Sequence, residues 1–110
     1  MKIGCDIVHL RRFITTLERG GSVFLNRVFT KKERKNRRSE QLAGIFAAKE
    51  ALMKAGLLRL GRWQEVEIIK DKKGRPRVNF FKKTDKVVAC DLSISHNGDY
   101  VIAVAVTWKL

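Results

Sequence analysis

The sequence predicts an α+β fold, with an antiparallel sheet of hairpins packed against one long helix and shorter basic helices. Three observations predict it. Helix-spaced apolar residues occupy the first half of the chain, and after Gly56 the apolar period changes from helical to two. The later segments then pair off around turn chemistry, with Asp71 to Gly74 in one turn and Asn97-Gly98 in the other. Helices early and hairpins late mark the α+β class. The 110 residues have the length of a single domain, 1–110, built on one core.

Residues 2–8, KIGCDIV, alternate and are β-branched, so they read as the first strand, with Ile3, Cys5 and Ile7 on one face and Gly4, Asp6 and Val8 on the other. A short basic helix follows. Leu10, Phe13, Ile14 and Leu17 form its apolar stripe, Arg11, Arg12, Glu18 and Arg19 face solvent, and Gly20-Gly21 reads as its stop. Thr30 and Glu33 make a capping box for another short helix, whose body, 31–38, is a charge run read as solvated helix and loop. Residues 39–56 carry the longest helical pattern, closed by Gly56.

Residues 65–70 and 75–81 then alternate as two strands, with Pro76 marking an edge position. Residues 87–95 and 100–108 form the second hairpin. The last strand is apolar on both faces and belongs in the middle of a sheet. Cys5 and Cys90 lie in apolar runs without the close Cys or His spacing of a zinc or redox site, and are expected as buried, reduced thiols.

The formal charge of +13 calls for a polyanionic partner: nucleic acid, an anionic surface, a phosphorylated cofactor or an acidic protein. Charge alone does not choose among them. No apolar run is long enough to span a membrane, and Asp6 interrupts what would be the apolar region of a leader, so the expected location is the cytoplasm.

A few residues do not fit a plain core. Glu50 shares a helical line with Phe46, Met53 and Leu57, where a carboxylate needs a partner. Its ordinary reading is an ion pair with Lys54 at i+4. Asp6 interrupts an apolar strand, and its ordinary reading is a cap for the following helix, although Ile7 and Val8 intervene. Together the two carboxylates make a seat for a hard divalent cation, magnesium above all, whose shell water and phosphate oxygens complete. His96 leaves a strand for the Asn-Gly turn, where an imidazole ordinarily bonds its own loop. Ser93 and Ser95 lack the G-x-S-x-G elbow of a serine hydrolase, and neither a Walker loop nor G-x-G-x-x-G occurs.

Taken together, GCDIV, VFTKKE, LAGIFAAKEALMKA, DKKGRP and SISH, in this order and spacing, resemble the holo-acyl-carrier-protein synthase family of phosphopantetheinyl transferases over nearly the whole chain. The resemblance implies that family's fold and the transfer of the phosphopantetheine arm of coenzyme A to a serine of an apo acyl carrier protein, for fatty acid synthesis. It implies Asp6 and Glu50 as magnesium ligands, Lys54 and His96 as groups for the coenzyme A phosphates, and Arg12, with Arg11 and Arg19 beside it, as the surface for the acidic carrier. Glu50 and Lys54 would be the catalytic pair. Glu50 acting through a bound water, water alone or a second acid could each serve as the base. Short members of the family are typically trimers with the site near subunit contacts.

One position departs from the family's usual L-A-G-R-F, which here reads Leu42-Ala43-Gly44-Ile45-Phe46. Arg37, Arg38 or Lys49 are the cations near enough in sequence to replace the missing arginine, and Lys49 is expected among the cofactor-binding residues. Two rival functions rank lower. A nucleic-acid-binding protein explains the arginines but not Asp6 and Glu50, since acids in a binding groove repel phosphates. A catalytically idle binder of carrier protein has only Ile45 in its favour.

Overall fold

The computed structural model describes residues 1–35, 37–81 and 88–110; Asn36 of the charge run and Val87 of the expected strand 87–95 lie outside them. Strand β1 (Lys2–His9) runs directly into helix α1 (Leu10–Val28). A one-turn helix α2 (Lys31–Arg34) and the long α3 (Ser39–Lys54) follow, then a 3-10 turn (Trp63–Glu65) and strands β2 (Val66–Lys70), β3 (Pro76–Phe80), β4 (Val88–Asn97) and β5 (Tyr100–Lys109).

All pairing is antiparallel. The strands form two sheets, one ordered β1-β5-β4 and the other β2-β3, so the last strand is central as its two apolar faces predict. Helix α3 packs across β1 and β5. Its contact face is made of small side chains: Ala47, Ala48, Ala51 and Ala55 are buried, as are Ala103 and Ala105 of β5. Small residues let helix and sheet approach closely. At Gly4 the approach is closest, for a Cβ there would lie 2.0 Å from the Ala51 carbonyl oxygen and 2.7 Å from the Ala55 nitrogen.

This contact decides which face of β1 is covered. Gly4 and Val8 are buried and Asp6 half-buried beneath α3, while the other face is open, with Ile3 68% and Ile7 62% exposed. Cys5 is exposed between them, contrary to its reading as a core thiol, and Cys90 is half-buried; both are free. Alternation reveals that a strand has two faces, but only packing reveals which one meets the helix. Ile3, Cys5 and Ile7 pair in register with Val106, Val104 and Ile102, so the open face is an apolar surface shared by two strands.

Gly20-Gly21 is a kink and not a stop. Gly21 adopts φ 50° and ψ −141°, a conformation open to a residue without Cβ, and the chain resumes its helix to Val28. The capping box of α2 forms as expected: Thr30 Oγ1 accepts from the Glu33 amide at 3.2 Å and Glu33 Oε1 accepts from the Thr30 amide at 2.8 Å. At the end of α3 the Gly56 amide donates to Met53 and the Leu57 amide to Leu52, the paired bonds of a Schellman cap around Gly56 at φ 78°. In the β4–β5 hairpin only Gly98 and Asp99 form the turn. His96 is therefore a strand residue opposite Val101, and not part of the loop.

Candidate functional site

A cleft of about 570 Å³ opens where β1, α1 and α3 meet. Strand β1 contributes Asp6, α3 contributes Phe46, Glu50 and Lys54, and α1 contributes Arg12 and, beyond its kink, Phe24. Spacing places the α3 residues together, since 46, 50 and 54 are successive i+4 neighbours on one line of the helix. Behind Phe46 the Trp63 ring stacks at 5.3 Å and 15°, and Phe13 lies 5.5 Å away, so one wall of the cleft is aromatic and rigidly backed.

Both ordinary readings of the acids fail here. Lys54 Nζ bonds Asp6 Oδ1 at 3.1 Å and the Cys5 carbonyl at 3.0 Å, and does not close an i+4 pair with Glu50. Asp6 does not cap α1. That task falls to His9, whose Nδ1 accepts from the Arg12 amide at 3.4 Å. The Glu50 carboxylate has no hydrogen bond or ion pair among the described residues. Burial pushes its pKa above the usual carboxylate range and the neighbouring Asp6 charge adds to this, with Lys54 opposing.

Two carboxylates that repel each other, one of them unpartnered, fit a hard cation that draws its other ligands from water and phosphate. Among the described residues no cluster of three or more metal-ligating side chains forms. Asp6 and Glu50 are the residues that could hold such an ion, with the exposed Lys54 ammonium beside them on Asp6.

His96 lines a different cavity, of about 310 Å³, together with Arg37, Arg38, Lys70 and Glu40, over a floor that includes Ile45. Its Nε2 lies 3.4 Å from Glu40 Oε1. A cationic rim over an apolar floor suits a phosphorylated, flat-ringed ligand. The buried Ile45 supplies floor where the family's usual residue would bring charge, and Arg37 and Arg38 stand at the rim.

Lys49 must be removed from the ligand-binding set. It is 0% exposed and its ammonium donates to Glu33, Val28 and Trp63, so no proton is left for a phosphate. Lys49 follows Ile45 at i+4 on the same side of the helix, but its ammonium turns inward to these three partners and does not line the cavity that Ile45 floors. Arg11, Arg12 and Arg19 are all exposed on α1, and of these Arg12 also reaches the cleft.

The sequence reading overlooked His9, Thr16 and Tyr100, which also line this cleft. His9, Arg12 and Thr16 follow at helical spacing, a signal that could have found the first two. Tyr100 is brought in only by strand register, opposite His9, with the two rings 5.2 Å apart edge to face.

Comparison with known proteins gives a consistent picture. Residues 2–105 match the model of the ACPS family, the 4'-phosphopantetheinyl transferase superfamily. The chain is 40% identical to a holo-[acyl-carrier-protein] synthase of Chlorobium limicola, over 96% of this chain and 92% of that one. It is 42% identical to one of Clostridium tetani, over 94% and 92%. Among solved structures it is similar to the Chronobacterium ammoniagenes ACPS-CoA complex, with TM-score 0.83, 32% identity, and 99% and 97% of the two chains covered. It is likewise similar to the Helicobacter pylori holo-[acyl-carrier-protein] synthase in complex with coenzyme A, with TM-score 0.83, 29% identity, and 96% and 99% covered.

Proposed function

Since this chain belongs to the 4'-phosphopantetheinyl transferase superfamily and is a transferase enzyme, we propose that it moves the phosphopantetheine arm of coenzyme A to a serine of an apo acyl carrier protein. The observation that carries this reading is the Asp6–Glu50–Lys54 cleft, where a carboxylate with no partner among the described residues sits beside a second acid and an exposed cation. Support comes also from the relatives, named as holo-[acyl-carrier-protein] synthases, and from similar structures described as holding coenzyme A.

In the reaction the carrier's serine oxygen bonds to the phosphorus that bears pantetheine. The bond from that phosphorus to the bridging oxygen breaks, 3',5'-adenosine bisphosphate leaves with the electron pair, and the serine proton passes to a base. Asp6 and Glu50 would hold magnesium, which when bound neutralises charge on the pyrophosphate. Lys54 swings from Asp6 to the pyrophosphate oxygens and offsets the charge that builds on the leaving group. Glu50, with its raised proton affinity, accepts the serine proton directly or through water. The aromatic wall of Phe24 and Phe46 shields the arm next to the reacting phosphate. His96, Arg37 and Arg38 take the nucleotide end, and Arg11, Arg12 and Arg19 meet the acidic carrier.

His96 and Glu50 line separate cavities of one chain, which supports a site completed by a neighbouring copy. The open apolar face of β1 and β5 is the surface for that neighbour, and the assembly is a homotrimer. The holo carrier would serve fatty acid synthesis in the cytoplasm. The test is direct. Incubated with coenzyme A, magnesium and an apo acyl carrier protein, the enzyme should add the mass of the phosphopantetheine arm to the carrier. No added mass with any of several carriers defeats the reading.

A further inference from the structure

Lys49 and Glu33 are buried charges that the reaction does not use. The Lys49 ammonium donates to the Val28 carbonyl at 2.7 Å, Glu33 Oε1 at 2.8 Å and the Trp63 carbonyl at 2.8 Å. Glu33, equally buried, also accepts from the Thr30 amide at 2.8 Å and, through Oε2, from the Ile68 amide at 2.7 Å. Glu67 lies behind the pair and accepts from Thr30 Oγ1 at 2.6 Å. Burial holds the Lys49 pKa below the usual lysine range, against the pull of Glu33 and Glu67.

A buried ion pair is a poor source of stability, because desolvating two charges offsets most of their attraction, and apolar replacements are often neutral or better. What it does fix is geometry. The partners of this pair lie at the end of α1, in α2, in the 3-10 turn and in β2, so α3 is pinned at residue 49 to four segments. Residue 51, about 200° further round the helix, is pinned to β1 through the contact at Gly4. Asp6 follows Gly4 by two residues, and Glu50 sits between the two pins. With no hydrogen bond among the described residues, Glu50 is aimed by the backbone that carries it.

We infer that Lys49 and Glu33 form a positioning pair that sets where α3 presents Glu50 opposite Asp6 and, through Trp63, where Phe46 stands in the cleft wall. The inference rests on reading Asp6 and Glu50 as cation ligands, so its test begins there. Mn²⁺ titrated into the full chain and followed by electron paramagnetic resonance should bind to the unmodified protein and not to Asp6→Asn.

The Lys49→Met/Glu33→Met double variant removes both charges at similar volume. It should fold with a lowered melting temperature, since the Val28 and Trp63 carbonyls and the Thr30 and Ile68 amides lose their partners, and bind Mn²⁺ about tenfold more weakly, the scale of losing a residue that orients a ligand. Thr30→Val removes the cap on the Glu33 amide and the hydroxyl donor to Glu67 while leaving the Lys49–Glu33 pair charged, and should weaken Mn²⁺ in the same direction as the double variant. A folded double variant with unchanged Mn²⁺ affinity overturns the positioning role. If the double variant does not fold, unchanged affinity in Thr30→Val overturns it. Absence of Mn²⁺ binding by the unmodified protein instead overturns the cation reading, and the inference falls with it.

Discussion

Glu50 is held at a cost, because its folded-state pKa lies above its unfolded value through burial first and Asp6 second. The protonated form is therefore the one the fold prefers. That preference favours folding at low pH and is lost as pH rises through the folded pKa, above which Glu50 destabilises the fold. Glu50→Gln should accordingly raise the melting temperature of the metal-free protein at pH 7, with the gain shrinking as pH falls through the carboxylate range. The same change should lower transfer by about 10²–10⁴, the usual worth of a positioned acid or base. Thermal melts across pH with a parallel mass assay check both halves, and a variant no more stable than the parent at pH 7 would place Glu50 in an unstrained pair. Lys54→Ala and His96→Ala should each weaken coenzyme A in direct titration, about tenfold for a lost charge-assisted contact. Unchanged binding of both would detach them from the ligand.

At the scale of elements, the junction of β1 with α3 governs the site. A methyl group at residue 4 would meet backbone atoms of Ala51 and Ala55, which cannot swing aside as a side chain can. Gly4→Ala should push β1 away from α3, cost about 1–3 kcal/mol in urea unfolding, and separate Asp6 from Glu50. Transfer should fall further than stability alone explains, measured below the unfolding transition. Wild-type stability in this variant would mean that the two elements yield without strain. In the proposed reading helix α1 meets the partner. Its Arg11, Arg12 and Arg19 are exposed on a helix entered directly from β1, so docking and chemistry share a rigid connection. Arg12→Glu should reduce kcat/KM for carrier protein by about one to two orders of magnitude, from about 1.5–3 kcal/mol for a charge-assisted contact. Because Arg12 also lines the cleft, coenzyme A binding should fall too, but by less than carrier efficiency. Ordinary carrier kinetics with impaired retention on DNA or RNA would make this face a nucleic-acid surface.

The whole molecule raises the question of completeness, because the Asp6–Glu50 cleft and the His96 cavity are distinct in one chain. If a neighbour supplies the missing half, two impaired variants, assayed at limiting coenzyme A, should rescue each other. Asp6→Asn co-expressed with His96→Ala would pair an intact cleft with an intact His96 cavity at about a quarter of contacts in randomly mixed rings. Activity well above the sum of the separate variants is expected; activity equal to that sum would confine the site to one chain. Val104→Lys, placed in the open apolar face, should lower the sedimenting mass and transfer together, while the monomer keeps its helical circular dichroism.

Local chemistry alone determined the α+β class, the order of its elements, the Thr30–Glu33 capping box, the cap at Gly56 and the two hairpins, since each follows from side-chain period or from which residue tolerates a given backbone. It also singled out Asp6 and Glu50, because a carboxylate on an apolar line is visible without coordinates. The tertiary structure decided the rest. Which face of β1 is covered depended on how closely α3 approaches Gly4. Lys49, beside Glu50 in the sequence, was turned into a buried network because neighbours on a helix point about 100° apart. Gly21 became a kink because Phe24 and Val28 beyond it had a core to join. Tyr100 entered the cleft, and His96 a cavity apart from it, through strand register and packing, which join residues whose separation along the chain carries no signal.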